Sequence, residues 1–278
     1  MSDDLPKLRD LIRQHQLQPT KKLGQHFLLD QNLTDKIVRY AGDLSQTTVI
    51  EIGPGPGGLT RSLLQSNAKK VIAIERDNRC LPLLQPLLDH YSDRFKLVQA
   101  DALQVAIEDH ASGPMQIIAN LPYNISTELL FHWMPIFPKI DQMILMFQKE
   151  VSNRLSAAPN SSSYGKLSVM IQAVAQVEDL FDVPAAAFTP PPKVVSTVSK
   201  IVPHKNPPAA DLLKALEKIT RAGFGQRRKM LRSSLKSLGI GKELLARVGV
   251  SETARAEDLS VETYLSLAGV WIASGESC

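Results

Sequence analysis

The chain has 278 residues, enough for one large domain or for a large domain with a small one attached. Hydrophobic residues make up 44%, yet no run approaches the ~20 apolar residues that a membrane helix needs, and the N-terminus lacks an apolar signal region. The net charge is +4 with a pI of about 9.0, and two cysteines cannot form a disulfide framework. No cysteine and histidine spacing resembles a zinc site. We therefore expect a cytoplasmic protein without membrane contact or bound metal.

The first part of the chain alternates between apolar runs and helical patterns. The runs that predict strands are 47–53, 69–77, 95–103, 115–122 and 140–148, with two more at 168–177 and 194–202. The helical patterns between the first five runs are 58–66, 78–89 and 126–134. Most of these runs are almost continuously apolar, which is typical of strands covered on both faces. The alternation predicts an α/β fold with a doubly wound, mostly parallel sheet of seven strands.

The pattern changes at the proline-containing segment VPHKNPPAAD, residues 202–211. After it, the periodicity predicts helices at about 211–221, 227–238, 242–248 and 260–273. We therefore place a domain boundary near residue 205. Residues 1–204 would form the α/β domain, and residues 205–278 would form a small all-α domain.

A glycine-rich segment, VIEIGPGPGGLT (49–60), begins within the first predicted strand and opens a helix. Gly53, Gly55 and Gly58 satisfy the dinucleotide-binding spacing GxGxxG, and Gly53, Gly55 and Gly57 satisfy the spacing GxGxG. Glycines here let the backbone turn tightly and approach a ligand closely. A simple tight turn between a strand and a helix would show the same residues.

Three acidic residues lie where predicted strands end. Glu75 follows Gly53 by 22 residues, close to the offset of about 20 at which an acid binds ribose hydroxyls in Rossmann-type sites. Asp101 ends the third strand, where a carboxylate can accept a hydrogen bond from an adenine amino group. These acids indicate a nucleoside site but leave open a nicotinamide dinucleotide or S-adenosylmethionine. Glu51 favours the second, because its negative charge suits a sulfonium and an α-amino group better than a pyrophosphate.

The fourth strand ends in Asn-Leu-Pro-Tyr, residues 120–123, just before a predicted helix. Asparagine and proline are common in turns, and proline suits the start of a helix. The tetrapeptide also suits methylation of an exocyclic amino group, whose lone pair is delocalised into the base. The Asn120 side-chain oxygen and the Leu121 carbonyl would accept hydrogen bonds from its N–H groups. Pro122 would make these acceptors converge, and Tyr123 would stack on the unstacked base.

A series of short motifs runs along the chain in a fixed order. They are KKLGQHFLLD (21–30), VIEIGPGPGGLT (49–60), IERD (74–77), ADAL (100–103), IANLPYNIS (118–126), MFQKEVSNRL (146–155), YGKLSV (164–169), FTPPPKVVS (188–196) and FGQRRKMLRSSL (224–235). The tetrapeptide NLPY is similar to the (N/D)PP(Y/F) motif of methyltransferases that act on amino groups in nucleic acid. Together the motifs resemble the KsgA family of small-subunit ribosomal RNA adenine dimethyltransferases.

The resemblance implies a Rossmann-like class I methyltransferase with S-adenosylmethionine as the methyl donor. It implies methyl transfer to N6 of two adjacent adenosines in a hairpin near the 3′ end of 16S ribosomal RNA, within the small subunit. We expect a monomer. By analogy, the cofactor-binding residues would be His26, Leu28, Gly53, Gly55, Glu75, Asp101 and Asn120. Phe188 would be a second aromatic that faces Tyr123 across the base.

Basic residues are concentrated in two stretches without acidic residues. Residues 11–29 include Lys21 and Lys22, and residues 221–237 hold six lysines and arginines. A helix over 227–238 would place Met230, Leu231, Ser234, Leu235 and Leu238 on one face and Arg228, Lys229, Arg232 and Lys236 on the other. A simply solvated surface would have the same pattern. Together with the RNA chemistry, it predicts phosphate contacts from both stretches.

Three other functions share parts of this pattern. Large-subunit rRNA methyltransferases that confer antibiotic resistance typically carry Asn-Ile-Pro-Tyr, so Leu121 and the FxPPPKV form favour the small-subunit group. A DNA adenine methyltransferase would need a target-recognition insertion, which the sequence lacks. A non-catalytic RNA-binding ribosome-assembly factor is disfavoured, because the predicted cofactor-binding and base-binding residues are all intact.

Overall fold

The computed structural model describes residues 5–20, 23–111 and 113–275. Its strands are β1 (Phe27–Leu28), β2 (Thr48–Ile52), β3 (Lys70–Glu75), β4 (Phe95–Gln99), β5 (Met115–Asn120), β6 (Gln142–Gln148), β7 (Ala175–Val183), β8 (Phe188–Thr189) and β9 (Ser196–Pro203). Its α-helices are α1 (Leu8–Gln14), α2 (Gln31–Arg39), α3 (Gly58–Gln65), α4 (Leu81–His90), α5 (Ser126–Trp133), α6 (Lys149–Leu155), α7 (Lys166–Gln172), α8 (Ala210–Gly225), α9 (Leu231–Ser234), α10 (Lys242–Arg247) and α11 (Val261–Ala273). Within the described ranges, no helix is both long and apolar enough to cross a membrane.

Seven of these strands form one sheet in the order β4-β3-β2-β5-β6-β9-β7. Strand β2 is parallel to β3 and β5, β4 is parallel to β3, and β6 is parallel to β5. Strand β9 is antiparallel to β6. The predicted seven-stranded, mostly parallel sheet is therefore confirmed. The strand order reverses between β2 and β5, which is the position where open α/β sheets bind ligands beyond the carboxyl ends of their strands.

The central strands are buried because helices pack against them. Every residue of β2 is buried. Val49, Val71 and Ile118, from β2, β3 and β5, belong to one apolar cluster with Leu63 of α3 and Leu84 of α4. Burying one such side chain contributes about 1.5–3 kcal/mol. Burial on both faces explains why these strands appear in the sequence as unbroken apolar runs.

A separate two-stranded sheet joins two motif segments that are far apart in sequence. Strands β1 and β8 pair in antiparallel register, with Phe27 opposite Thr189 and Leu28 opposite Phe188. Helix α2 begins directly after β1, because Asp30 Oδ1 accepts hydrogen bonds from the next backbone N–H groups at 2.9 and 3.4 Å. The pairing holds the GQHFLL segment against the FTPPPKV segment.

The strand predicted at 168–177 is wrong. Residues 166–172 form α7, and the strand begins only at Ala175. The Ser168 hydroxyl accepts a hydrogen bond from the Gly165 N–H at 3.0 Å and so helps to start the helix. Residues 168–171 are all buried. A short helix that is buried on most sides and a buried strand have the same apolar pattern, so periodicity does not separate them.

The chain divides into two compact units. The first comprises Met1–Lys149 and Glu178–Val202, and the second comprises Glu150–Val177 and Pro203–Cys278. The sequence predicted a single boundary near residue 205 and assigned residues 150–177 to the α/β domain. The structure groups them with the C-terminal helices, because the Tyr164 hydroxyl donates to the Leu259 carbonyl at 2.9 Å and Lys166 pairs with Glu217 at 3.0 Å. Contacts over such separations leave no trace in local composition.

The helix predicted at 227–238 is also wrong. Helix α8 continues to Gly225, residues 226–229 form a turn and a bend, and only the short α9 and a 3₁₀ segment (Lys236–Leu238) follow. The Leu231 N–H donates to the Ala254 carbonyl at 2.8 Å, and Met230 forms a β-bridge with Arg255. The backbone groups of Met230 and Leu231 therefore bond to residues 254 and 255, whereas in a continuous helix they would bond within the helix.

Candidate active site

A cavity with about 1040 Å³ of empty space, including its open mouth, lies at the carboxyl ends of the central strands. Its lining consists of residues 23–28, 51–56, 58–59, 74–76, 100–102 and 120–125. Ten of the residues predicted for the site line it: His26, Leu28, Gly53, Gly55, Glu75, Asp101, Asn120, Leu121, Pro122 and Tyr123. The fold therefore brings five separate motifs to one concave site, as ligand-binding sites require.

The glycine loop forms one wall of this cavity in a conformation that needs glycine. Gly53 and Gly55 have φ values of +65° and +55°, in the left-handed region. At Gly58, a Cβ atom would lie 2.1 Å from the backbone oxygen of Leu28. The loop therefore turns tightly at two positions and passes directly against β1 at the third.

Glu75 holds the glycine loop against the end of β3. Its Oε2 accepts a hydrogen bond from the Gly55 N–H at 2.9 Å, and its Oε1 accepts from the Asp77 N–H at 2.7 Å. Burial raises the pKa of Glu75, and these two N–H donors oppose that rise. Carboxylate oxygens have further lone pairs, so Glu75 can still accept from ribose hydroxyls.

Glu51 is a buried carboxyl group on the cavity wall. It is 1% exposed, and its Oε2 has no hydrogen-bond partner among the described residues. Burial raises the pKa of Glu51 to about 8. The negative charge assumed from the sequence is therefore absent near neutral pH unless a cation lies close by. An unpartnered buried carboxyl oxygen suits a ligand that carries N–H donors or positive charge.

Asp101 is already engaged by two groups. Its Oδ1 accepts from the Leu103 N–H at 3.1 Å, and its Oδ2 lies 2.9 Å from Nη1 of Arg76. Arg76 also lines the cavity, although the sequence analysis gave it no role. Its position directly after Glu75 was the only signal that could have identified it.

Asp77 anchors the segment that precedes β1. The Gln25 side chain donates to Asp77 at 2.8 Å, and Arg79 lies 2.6 Å from the same carboxylate. The hydrogen bond from Arg79 holds the pKa of Asp77 at about 2. Gln25 in turn accepts from the Thr20 N–H at 2.9 Å. This network places His26 and Phe27 at the cavity.

Asn120 and His26 are joined at the end of β5. The Asn120 amide nitrogen donates to the His26 carbonyl at 3.2 Å, which leaves the amide oxygen free to accept from a ligand. The His26 ring stacks on the Tyr123 ring, with centroids 5.5 Å apart and an angle of 27° between the planes. The predicted members of this group therefore touch one another.

The Tyr123 hydroxyl is 2.5 Å from the Ser196 hydroxyl. Burial raises the pKa of Tyr123, so the phenol is neutral at physiological pH. Ser196 belongs to the FTPPPKVVS motif, but the sequence analysis gave it no role.

Phe188 does not lie where the sequence placed it. Its side chain is 3% exposed and packs in the core cluster that includes Leu28, Val183 and Val198. It does not line the cavity with Tyr123. The β1–β8 register aligns it with Leu28, and this turns it into the core.

The predicted RNA-binding residues of the second unit do not form a helical stripe. Arg228, Lys229 and Lys236 are exposed. Arg232 is half-buried and pairs with Glu252 at 3.3 Å, and the same carboxylate pairs with Lys242 at 2.8 Å. Lys21 and Lys22 lie outside the described residues. In the described part of the chain, no cluster of three or more His, Cys, Asp or Glu side chains could hold a metal ion.

Comparison with known proteins identifies the family. The ribosomal RNA adenine dimethylase family matches residues 16–272. The chain belongs to this family. Members of the ribosomal RNA adenine dimethylase family are enzymes that use S-adenosylmethionine, so the predicted cofactor is confirmed. The positive φ angles of Gly53 and Gly55, the buried Glu75 and the unpartnered Glu51 oxygen are consistent with this cofactor.

Relatives of the dimethylase family match this chain over nearly its full length. Ribosomal RNA small subunit methyltransferase A from Paramagnetospirillum magneticum is 52% identical over 265 residues, or 95% of this chain and 94% of the relative. The protein of the same name from Sinorhizobium medicae is 53% identical over 272 residues, or 96% and 97%. The crystal structure of a dimethyladenosine transferase from Plasmodium falciparum is 26% identical, with a TM-score of 0.77, covering 90% of this chain and 98% of that one. The structure of the 23S rRNA methyltransferase ErmE, 24% identical with a TM-score of 0.68 over 88% and 99%, shares the fold.

Proposed function

We propose that this enzyme transfers methyl groups from S-adenosylmethionine to N6 of two adjacent adenosines in a 3′-terminal hairpin of 16S ribosomal RNA, giving dimethyladenosines during small-subunit biogenesis. One observation carries the proposal. The tetrapeptide Asn120–Tyr123 lines the same cavity as Gly53, Glu75 and Asp101. One cavity therefore combines residues that suit a target amino group with residues that suit the nucleoside part of the cofactor. The names of the full-length relatives support the small-subunit substrate.

The cofactor supplies an electrophilic methyl group on a positively charged sulfur. The residues of this chain hold that group and exclude water from it. Glu75 would accept from the ribose hydroxyls, and Asp101 would accept from the adenine amino group. Gly53 and Gly55 would let the backbone approach the ligand closely. Glu51 would lose its proton beside the positive charge, because an adjacent cation stabilises a carboxylate.

The target adenine would be held by the end of β5. The Asn120 amide oxygen and the Leu121 carbonyl would accept from its N6–H groups and localise the nitrogen lone pair. The ring of Tyr123 would stack on the base, a contact worth about 1–3 kcal/mol in proteins that bind single-stranded nucleic acid. The nitrogen loses its proton easily once it becomes cationic, so no general base is required beforehand. Catalysis would therefore rest on positioning the nitrogen in line with the methyl group.

The second unit would bind RNA phosphates, and Arg228, Lys229 and Lys236 are exposed and available for this contact. Arg232 would contribute less, because Glu252 already neutralises part of its charge. Lys21 and Lys22 would add a second basic contact from the first unit. We further propose that the enzyme acts as a monomer in the cytoplasm, on ribosomal RNA within the small subunit.

The proposal is tested with labelled S-adenosylmethionine and small subunits from cells that lack this methylation. Digestion to nucleosides should yield N6,N6-dimethyladenosine, mapped to two neighbouring positions near the 3′ end of the 16S RNA. Transfer only to large-subunit RNA would instead indicate the related large-subunit activity. RNA binding without any transfer would indicate an assembly factor and would overturn the proposal.

A further inference from the structure

The segment from Phe188 to Ser196 holds the aromatic pair of the site at two points. The Pro190 carbonyl lies 2.8 Å from Nδ1 of His26. The Ser196 hydroxyl lies 2.5 Å from the Tyr123 hydroxyl. The His26 and Tyr123 rings stack on one another between these two contacts. One face of Tyr123 is therefore backed by His26, and the proposed function requires the opposite face to receive the base.

Ser196 is held more firmly than the tyrosine that it contacts. It is fully buried and is the first residue of β9. It pairs in register with Gln148 of β6, and the adjacent Val195 carbonyl accepts from the Lys149 N–H at 2.9 Å. Tyr123 instead lies in the turn after β5. Functional groups on strands are placed more accurately than groups on loops, so the hydroxyl of Ser196 can set the position of Tyr123.

The orientation of Tyr123 matters for the proposed reaction. A ring that rotated freely would lose rotamer freedom whenever a base stacked on it, and this loss would weaken binding. A ring fixed in advance avoids that loss and presents the base at one angle to the methyl donor. The Tyr123 phenol can donate to Ser196 or accept from it, and either arrangement fixes the same ring plane.

We propose that Ser196 is a positioning residue that fixes the Tyr123 ring, through their hydroxyl–hydroxyl bond, for stacking on the target adenine. The proposal rests on the proposed function, because Tyr123 must be the residue that receives the base. Ser196 does not line the cavity. It acts only through Tyr123.

A double-mutant cycle tests whether Ser196 acts through Tyr123. Ser196→Ala and Tyr123→Phe remove the same bond from opposite sides, and the tyrosine variant leaves β9 untouched. Each should lower kcat/KM for methyl transfer by about three- to tenfold, as expected for one lost hydrogen bond. The double variant should lose no more than either single variant. Cofactor affinity, measured by calorimetry, should stay unchanged in all three.

The matched control is Ser199→Ala. Ser199 is also fully buried on β9, but its hydroxyl contacts Asp179 at 2.9 Å and does not reach the cavity. Its variant should methylate like the wild type. Additive losses in the double variant would overturn the proposal, as would equal losses from Ser196→Ala and Ser199→Ala or a loss of cofactor affinity in Ser196→Ala.

A second measurement decides the proposal even if the wild type transfers no methyl groups. The protein is labelled with 3-fluorotyrosine, and the Tyr123 resonance is identified by its absence in Tyr123→Phe. In Ser196→Ala this resonance should shift and narrow, because the ring becomes more mobile, whereas Ser199→Ala should leave it unchanged. An unchanged resonance in Ser196→Ala would show that the hydroxyl does not hold the ring.

Discussion

The guanidinium of Arg76 lies 2.9 Å from the carboxylate of Asp101, at the mouth of the cofactor cavity. The Arg76 side chain is 65% exposed and that of Asp101 is 21% exposed. The oxygen that an adenine amino group would approach therefore already has a partner. We expect the cofactor's adenine amino group to approach the oxygen that Arg76 contacts, so the cofactor and Arg76 would compete for it.

Replacing Arg76 with methionine should strengthen cofactor binding by about two- to fivefold, because an exposed ion pair is worth up to about 1 kcal/mol. Titration calorimetry without RNA measures this change. Lys139→Met is the control, since Lys139 is similarly exposed and lies 3.9 Å from Glu108, outside the cavity lining. Weaker binding in Arg76→Met would mean that the guanidinium supports the cofactor instead.

Glu51 should release a proton when the cofactor binds near pH 7. Burial holds its pKa at about 8, so the free enzyme carries the proton, and a bound sulfonium and ammonium favour the carboxylate. Cofactor affinity should therefore rise with pH and level off above about 8. Titration calorimetry in buffers with different ionisation enthalpies gives the number of protons that are released when the cofactor binds. Glu51→Gln should remove this proton release.

The pH dependence of protein stability tests the protonation of Glu51 in the absence of the cofactor. The pKa of Glu51 is raised from 4.5 in the unfolded chain to about 8 in the folded one, so the folded state keeps a proton that the unfolded state loses. Its contribution to stability is full below pH 4.5 and is lost as the pH rises through about 8. Denaturant unfolding should show the wild type losing stability relative to Glu51→Gln across this interval. Parallel pH curves would contradict a buried, protonated Glu51.

Replacing Asn120 with alanine should lower kcat by about 100-fold or more, the usual cost of removing one preorganised polar group that stabilises a transition state. The variant loses the amide oxygen that we propose accepts from the target amino group, and it loses the hydrogen bond to the His26 carbonyl. Single-turnover methylation of the small subunit measures the effect. Asn78→Ala, at an exposed asparagine outside the cavity lining, should behave like the wild type. Normal transfer by Asn120→Ala would refute the assigned site.

Neutralising Arg228, Lys229 and Lys236 together should weaken RNA binding and reduce its salt dependence. Each lost phosphate contact should lower the slope of log K against log salt by about 0.7–0.9. Arg232→Ala should have a smaller effect, because Arg232 is paired with Glu252. Filter binding at several salt concentrations gives the slopes. An equal loss of cofactor affinity in the triple variant would show that these residues do not act on RNA alone.

Replacing Gly58 with alanine should destabilise the protein by about 1–3 kcal/mol, because the new methyl group would lie against the Leu28 carbonyl and force a backbone shift. The shift would also move β1 and weaken cofactor binding. Gly269→Ala is the contrast, since Gly269 lies within α11 and no heavy atom outside its own helix would lie within 4 Å of the added Cβ. That change should stabilise by about 0.5–1 kcal/mol. Thermal unfolding compares the two variants.

Local patterns were sufficient for most of the sheet and for ten of the residues that line the cavity. Almost continuous apolar runs predicted the central strands, because a strand that is buried on both faces has apolar side chains on both sides. The spacing of Gly53 and Gly55 predicted the turn, since both need a positive φ. The end of each strand then placed Glu75, Asp101 and Asn120 at one edge of the sheet, because parallel strands end on the same side.

By itself, the sequence determined the fold class, the family motifs and ten of the residues that line the site, because each depends on backbone geometry within a few positions. Only the tertiary structure decided which side chains meet. It paired Arg76 with Asp101 and Tyr123 with Ser196, turned Phe188 into the core, and divided the predicted helix at 227–238. These outcomes depend on segments that are distant in sequence competing for the same hydrogen-bonding groups and the same buried space. Local periodicity carries no information about that competition.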